Sequence, residues 1–513
     1  MQNGSILAAV DLGSNSFRLE LGRLDHGQIH RTEYIKETVR QGNGLDENRN
    51  LTPDAMQRGW DCLARFAERM AGLKKTNVRA VATQTLREAR NRGLFIDHAQ
   101  KILGFPIEII SGREEARLIY LGVSHYLPQS SERRLVIDIG GRSTEIILGQ
   151  YLEPKVMESY RTGSVAWSMK YFNNGEFTAA AFERAEIAAK AVLDEALSLY
   201  PKSEWDQAYG SSGTVGAVVD ILAANGWPSD EITQEGLQWL QKTLVRSQSP
   251  ERLKLEGLKE DRKAVIGGGI GVLKALFDLL KIEKLHCAQG ALRHGVLYDL
   301  IERDELTQDA RELTVKRLQK TFAVDLNQSA RVTDVSQFFM NQISCVKVLE
   351  QDNLNKLKKK LQWAAQLHEI GSAISHSDYH KHGAYILDQS DAPGFSVSEL
   401  HRLSLLVLGH RGKLRKLEVD FDDQDFCYQL ICLRLAVILC HARRTPEFEK
   451  IRLVIDPDDH KCFVLEVSQN WKKSFPQSAH LLHEEVQAWL KTSWHLKVQE
   501  PATQAEAWTA SIE

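Results

Sequence analysis

The chain has 513 residues, 43% hydrophobic and 26% charged, which is ordinary globular composition and enough length for three or four domains. Its formal net charge of -3 excludes a polycation built to coat nucleic acid, so any polyanionic partner must meet a local basic patch. Seven scattered cysteines (62, 287, 345, 427, 432, 440 and 462) form no CxxC pair, which excludes a zinc ribbon and a disulfide framework and fits reduced thiols in the cytoplasm. MQNGSILAAVDLG has no basic region before its short apolar run, and no apolar run reaches ~18 residues. Neither a signal peptide nor a membrane span is expected. A cytoplasmic location follows, with peripheral attachment at a membrane left open.

The first predicted element is a hairpin, Ile6-Leu-Ala-Ala-Val-Asp-Leu-Gly-Ser-Asn-Ser-Phe-Arg-Leu19. Val78–Ala82 then reads as a strand, and Thr83-Gln-Thr-Leu-Arg87 turns into a helix. That puts Arg87 in the first helical turn, against the dipole, where a nearby anion would explain it. A second joint, Ile107-Glu-Ile-Ile-Ser-Gly-Arg-Glu-Glu115, starts another helix. Ser111 and Glu114 have capping-box spacing. Glu115 lies about 100° further around the helix and is free to act as a general base toward water.

Leu135-Val-Ile-Asp-Ile-Gly-Gly-Arg-Ser-Thr-Glu-Ile146 repeats the opening hairpin, with Asp138, Gly140 and Ser143 in the places of Asp11, Gly13 and Ser16. Two such copies suggest a duplicated domain around a cleft. Glycines allow close backbone approach, turn N–H groups form an anion nest, and Ser14, Asn15, Ser16, Ser143 and Thr144 add donors. Asp11 and Asp138 have the oxygen chemistry that Mg²⁺ prefers. Small-residue turns recur at Gly210-Ser-Ser-Gly-Thr214, Gly267-Gly-Gly269 and Gly290-Ala-Leu-Arg-His-Gly295. No Walker A, GxGxxG, HExxH or GxSxG pattern occurs.

Taken in order, VDLGSNSFRL, ATQTLREA, IISGREEARLIYLGV, VIDIGGRSTEI, GSSGTV and GALRHGVLYDL closely resemble the bacterial exopolyphosphatase / guanosine pentaphosphate phosphohydrolase family. The resemblance covers nearly the whole chain. It implies two RNase H-like lobes of the actin-like ATPase superfamily (1–125 and 126–305), an α/β arrangement followed by an all-helical domain. It also implies Glu115 as the water-activating residue, with Asp138 and Glu145 tied to catalysis and, with Asp11, to Mg²⁺. Gly13, Ser14, Asn15, Ser16, Gly140, Gly141 and Ser143 match phosphate-holding loops, as do Ser212, Gly213 and Thr214, while Arg87 matches an arginine facing the phosphates. A homodimer is implied by the same likeness.

Beyond residue 305, glycine becomes sparse and long helical patterns dominate, at Leu354–His368, Val397–Leu408 and Tyr428–Cys440. His368-Glu369-Ile-Gly371 resembles an HD-like metal phosphohydrolase domain (306–445), yet Glu369 stands where Asp is needed and Val437 where a later Asp ligand would be. A two-metal site is therefore not expected, and His376, His380, His382 and His410 are read as solvated or core histidines. Three basic clusters, Lys356/358/359/360, Arg411/Lys413/Arg415/Lys416 and Arg443/Arg444, are either solvated helix faces or a polyanion track. Ile451–Ile455 and Cys462–Val467 read as a hairpin and Trp494–Val498 as a strand of a small C-terminal α/β module (446–513) with a mobile tail from Gln499.

The reading these motifs favour is an exopolyphosphatase that releases terminal phosphate from inorganic polyphosphate. Guanosine pentaphosphate 5′-phosphohydrolase on the same site is the alternative, because the motifs fit either branch. A non-catalytic polyphosphate or nucleotide sensor is opposed by retention of both aspartates, Arg87 and Glu115, and a sugar kinase by the lack of an assignable sugar site. Arg142 departs from the family's small residue. If its position needs positive φ it costs roughly 1 kcal/mol, and its side chain is expected at the cleft rim, assisting polyanion binding.

Overall fold

Near-continuous apolar strands such as Ile6-Leu-Ala-Ala-Val have to be covered on both faces, and two sheets of this kind organise the first half of the chain. The computed structural model describes residues 1–303, 309–346, 351–447 and 451–501, with the side chains of 344–346 and 351–352 outside the description. The Cys345 side chain and most of the tail expected from Gln499 onward therefore lie outside the description.

The first sheet holds β1 (Ile6–Leu12), β2 (Phe17–Asp25), β3 (Gln28–Glu37), β4 (Val78–Ala82) and β5 (Ile107–Ile109) in the order β3-β2-β1-β4-β5. The second holds β6 (Arg133–Ile139), β7 (Thr144–Gln150), β8 (Glu153–Tyr160), β9 (Gln207–Ser211), β10 (Glu231–Thr233) and β11 (Lys284–Cys287) in the order β10-β11-β9-β6-β7-β8. In each, an antiparallel three-strand meander is followed by a strand that returns parallel to the first: β4 beside β1, and β9 beside β6. The hairpin echo read from the sequence is thus an echo of topology. Asp11 faces Arg18 across the first hairpin, and Asp138 faces Glu145 at the same register position of the second.

The Gly112–Ser124 helix is wedged between the sheets, and every residue from Glu114 to Ser124 is buried. Its apolar side chains share one core with Leu7 and Ala9 of β1, Val136 of β6 and Ile147 of β7. The Leu292–Glu302 helix returns to the same core through Leu292, Val296 and Leu297. The two helices meet through glycines. A Cβ on Gly295 would lie 1.7 Å from the Leu118 carbonyl oxygen, and one on Gly122 would lie 2.3 Å from the Ala291 oxygen. This close approach accounts for the glycines of Gly290-Ala-Leu-Arg-His-Gly295.

The chain forms two compact units: Met1–Ala310 together with Asp391–Val397, and Arg311–Ser390 together with Ser398–Glu513. The short Asp391–Val397 segment is therefore a strap that folds with the first unit. Ser396 forms a bridge with Ile110, and the Gly394 N–H donates to Glu114 at 2.6 Å. The second unit is largely helical, from Ala310–Thr321 to Pro476–Trp489, and carries a three-stranded sheet. Its strands are β12 (Arg452–Ile455), β13 (Cys462–Glu466) and β14 (His495–Gln499), with β12 antiparallel and β14 parallel to β13. The expected hairpin and later strand both form. Among the described residues, no helix is long and apolar enough to cross a membrane.

Candidate active site

The two hairpin turns meet. A Cβ on Gly141 would lie 3.1 Å from the Ser14 Cβ, so the second turn can approach the first only without a side chain there. Gly13, Gly140, Gly141 and Arg142 all have negative φ. The glycines thus serve close approach, and the strain expected at Arg142 is absent. The residue that does carry positive φ is Ser212, at +91°. It starts the Ser212–Ala224 helix, and its hydroxyl accepts from the Thr214 N–H at 3.1 Å. Thr214 in turn donates to the Ile139 carbonyl at 2.9 Å, tying this turn to the end of β6.

Around these turns lies a cavity of about 330 Å³. Asp11, Gly13, Ser14, Asn15, Ser16, Glu115, Asp138, Gly140, Gly141, Ser143, Ser212, Gly213 and Thr214 all line it. Of the residues expected at the site, Arg87, Arg142 and Glu145 do not. Asn15 Nδ2 and Ser16 Oγ are buried with no hydrogen-bond partner among the described residues, so two donors of the first turn remain available to a guest.

Arg87 finds its anion inside the protein. It donates to Glu115 at 2.7 Å and to the Ile110 carbonyl at 2.8 Å, and holds Gln84 as well. It therefore orients the proposed base and does not face the cavity. Arg142 reaches sideways: it donates to Glu88 at 2.9 Å and to the Gly42 carbonyl at 3.1 Å, bracing the turn against the first sheet's loops. The expectation of a rim cation is corrected accordingly. Glu145 is buried behind the cavity, where Ser159 Oγ donates to it at 2.7 Å. Ser111 caps the Gly112–Ser124 helix as expected, but Glu114 does not close the capping box. Its carboxylate is fully buried against Arg79, Arg117 and the strap's Gly394 N–H. Asp299 completes this network with bonds to Arg79, Arg117 and Arg303.

The acidic residues crowd one another. Burial, then Glu115 and Asp11, push the Asp138 carboxyl up to about 6, even though Ser211 and Arg18 pull it down. Burial also raises Glu115 above the ordinary carboxylate range against the pull of Arg87, and raises Glu145 well above it, with Glu115 and Asp138 adding to the effect. No three His, Cys, Asp or Glu side chains among the described residues are close enough to hold a metal ion, so the expected set of Asp11, Asp138 and Glu145 is not assembled as three ligands.

Five cations of the cavity wall went unread in the sequence: Arg18, Lys36, Lys259, Arg262 and Arg293. Arg18 donates to Asp11 at 2.9 Å. Arg262 packs on Gly213, where a Cβ would lie 2.1 Å from its Nη2. Burial and the nearby Arg18 hold Arg262 below its ordinary value, and burial with Arg262 and Arg18 does the same to Lys36. A wall of cations too crowded to be comfortable is one that gains from an anion. Only Arg18 had a signal in the sequence, since it stands seven residues after Asp11 as Glu145 stands seven after Asp138.

The profile of the Ppx/GppA phosphatase family matches residues 23–304, and that of Ppx/GppA phosphatase domain III matches residues 310–487. The chain is 38% identical over 498 residues to a guanosine-5′-triphosphate,3′-diphosphate pyrophosphatase of Vibrio atlanticus, covering 96% of this chain and 98% of the relative. It is 37% identical over 497 residues to the protein of that name from Pseudoalteromonas translucida, with the same coverage. Among solved structures, an exopolyphosphatase-like protein matches with TM-score 0.52 and 26% identity over 57% of this chain and 97% of that one. An exopolyphosphatase from Cytophaga hutchinsonii, at TM-score 0.52 and 23% identity over 58% of this chain and 98% of that one, shares the fold. The fold is thus one of actin-like ATPase-type sheets with a helical domain III. The full-length relatives overturn the preference for an exopolyphosphatase. The shared motifs carry chemistry suited to a phosphate chain, which both substrates have, so they could not rank the two.

Proposed function

The chain belongs to the Ppx/GppA phosphatase family, and from that premise we propose that it is a guanosine pentaphosphate 5′-phosphohydrolase, removing the terminal 5′ phosphate to leave the tetraphosphate. The observation that carries the reading is a single cavity that collects Asp11, Glu115 and Asp138 together with Arg18, Lys36, Arg262 and Arg293. Phosphoryl transfer asks for this: a nucleophile oriented in line, and positive charge and N–H groups around the phosphoryl oxygens. The turn N–H groups, Asn15 Nδ2 and Ser16 Oγ are suited to hold the phosphate chain, with Arg18 and Arg262 neutralising its charge. Glu115, oriented by Arg87, accepts a proton from the attacking water. Its raised pKa makes it a better acceptor than an exposed carboxylate.

Mg²⁺ is the proposed cofactor, and the donor chemistry fits it: the crowded Asp11 and Asp138 carboxylates both line the cavity. With only two protein carboxylates to hold it, the ion would share oxygens with the substrate, and when bound it supplies charge neutralisation at the phosphoryl group.

A substrate panel tests the proposal, with phosphate release measured on guanosine pentaphosphate, ATP, inorganic triphosphate and long polyphosphate. Guanosine pentaphosphate is expected to give the highest kcat/KM, and a higher value on long polyphosphate refutes the assignment. Glu115→Gln should lower kcat by roughly 10²–10⁴ while leaving the thermal midpoint unchanged.

A further inference from the structure

Within the helical unit, a cavity of about 860 Å³ opens where segments distant in sequence converge. Its floor contains His368, Tyr379, His410 and Arg434, each at most 8% exposed. His368, Glu369 and Val437 all line it, so the residues read from the sequence as a degenerate metal site do come together. Among the described residues they form no metal-holding group.

The lining is instead rich in positive charge. Six arginine and lysine side chains line the cavity against three glutamates. Two of the glutamates are already engaged: Glu485 accepts two bonds of 2.6 Å from Arg434, and Glu369 accepts one of 2.7 Å from Arg443. Glu484, the third, lies 3.8 Å from His480. Arg411, Lys413, Arg415 and Lys491 have no carboxylate within ion-pair distance among the described residues. They come from two of the cavity's segments, and the Lys356–Lys360 cluster is not among the lining. Basic runs on a helix face are usually just solvated; here the unpaired cations ring a concave, buried floor.

The donors suited to an oxyanion are the guanidinium and ammonium groups of the lining and, where a floor histidine takes a second proton as the anion binds, its Nε2–H. The Nδ1 of His368 lies 2.7 Å from the Ala365 carbonyl and that of His410 lies 2.6 Å from the Val407 carbonyl, contacts that place a proton on Nδ1 and leave each Nε2 for other partners. His410 Nε2 is 3.4 Å from the Tyr379 hydroxyl. Arg411 lies over the Tyr379 ring at 4.8 Å, which holds its guanidinium in place and occupies one face on which a base could stack.

We propose that this cavity is a second anion site, taking a multiply charged phosphate chain, inorganic or borne by a nucleotide. The proposal stands apart from the catalytic assignment, since it uses none of the same residues. The test uses the full-length Glu115→Gln protein, so that turnover does not consume the probe. Calorimetric titration with inorganic triphosphate should show two sites per chain. Arg411→Glu with Lys413→Glu should weaken one of them roughly tenfold or more, and Arg262→Ala the other. Triphosphate should slow hydrogen exchange in residues 405–416, and the double substitution should abolish that protection. Arg411→Gln with Lys413→Gln repeats the test with less risk to folding. A parallel arm with GTP assigns the source: equal or better protection by GTP indicates a nucleotide, weaker protection an inorganic chain. A single site, with unchanged affinity and exchange in both double variants, overturns the proposal.

Discussion

Gly295→Ala puts the helix crossing beneath the site to a quantitative test. The new methyl carbon would begin 1.7 Å from the Leu118 carbonyl oxygen and 2.6 Å from its carbon. An ordinary C···O approach is about 3.3 Å, so the Leu292–Glu302 helix must retreat by roughly 1.5 Å along that line. Nothing flexible can yield, because the obstruction is backbone and the adjacent crossing is also closed at Gly122, where a Cβ would lie 2.3 Å from the Ala291 oxygen. Overpacking typically costs about 1–3 kcal/mol, and backbone against backbone belongs at the top of that range or above it. Alanine's helix propensity returns up to about 1 kcal/mol. The net expectation is a loss of about 2–4 kcal/mol, a fall of several degrees in Tm by calorimetry. Leu118 is one turn from Glu115, so the same displacement misplaces the base. A shift of about 1 Å is enough to lower kcat on the order of 100-fold in a phosphate-release assay. Gly93→Ala is the control, since a Cβ there meets nothing within 4 Å. Wild-type Tm and kcat in Gly295→Ala would refute the reasoning, both the packing step and the link to catalysis.

Three further outcomes follow from the site. Arg87→Met should lower kcat far more than it raises KM, because Arg87 bonds Glu115 and stands outside the cavity lining; a mutant altered in KM alone would show instead that Arg87 holds substrate. Arg142→Ala should cost about 1 kcal/mol through loss of the part-buried Glu88 pair, with little change in KM, and a large KM change at unchanged Tm would return Arg142 to the substrate. Asp299→Asn should destabilise by about 3–5 kcal/mol, since Arg79 and Arg117 would be left buried without their shared carboxylate. Burial works against ionisation of Asp299, but Arg117, Arg303 and Arg79 outweigh it and hold the carboxyl well below its ordinary 3.8. The stabilisation is therefore complete above that ordinary value and is lost as pH falls through the depressed one. Melting curves of wild type and mutant should differ by a constant amount at neutral and mildly acidic pH and converge only below about pH 4; a gap that closed between pH 7 and 5 would contradict this.

What could be read from the sequence was whatever local chemistry enforces. The two Asp-Gly hairpins, the Ser111 cap and the C-terminal hairpin are set by turn and capping rules that act over a few residues. Residues whose role depends on a distant partner were misread or missed. Glu114 has the spacing of a capping box, yet Arg79 and Arg117 in a dry environment outcompete the helix's own N–H group. Arg142 sits in a phosphate-type turn, but Glu88 and the Gly42 carbonyl claim its side chain from across the loop. Arg262 reaches Gly213 only through the fold, and the strap at Asp391–Val397 joins the first unit from well inside the sequence of the second.

The duplicated hairpin carries one further consequence. Its two copies supply the same backbone, with β1–β2 and β6–β7 matching in order and register, but they differ where it matters electrically. Seven residues after the aspartate, the first copy has Arg18 and the second has Glu145. A carboxylate in the place of Arg18 would have left Asp11 without its ion pair and added negative charge where a phosphate chain must approach. With Arg18 neutralising Asp11 at 2.9 Å, Glu145 withdrawn onto Ser159 at 2.7 Å and Asp220 paired with Lys259 at 3.1 Å, the carboxylates Asp11, Glu115 and Asp138 share the cavity with Arg18 and Arg262. The repeat builds the scaffold, and the departure from the repeat at that one register position lets the cavity accept both a water-activating carboxylate and the anion on which the water acts.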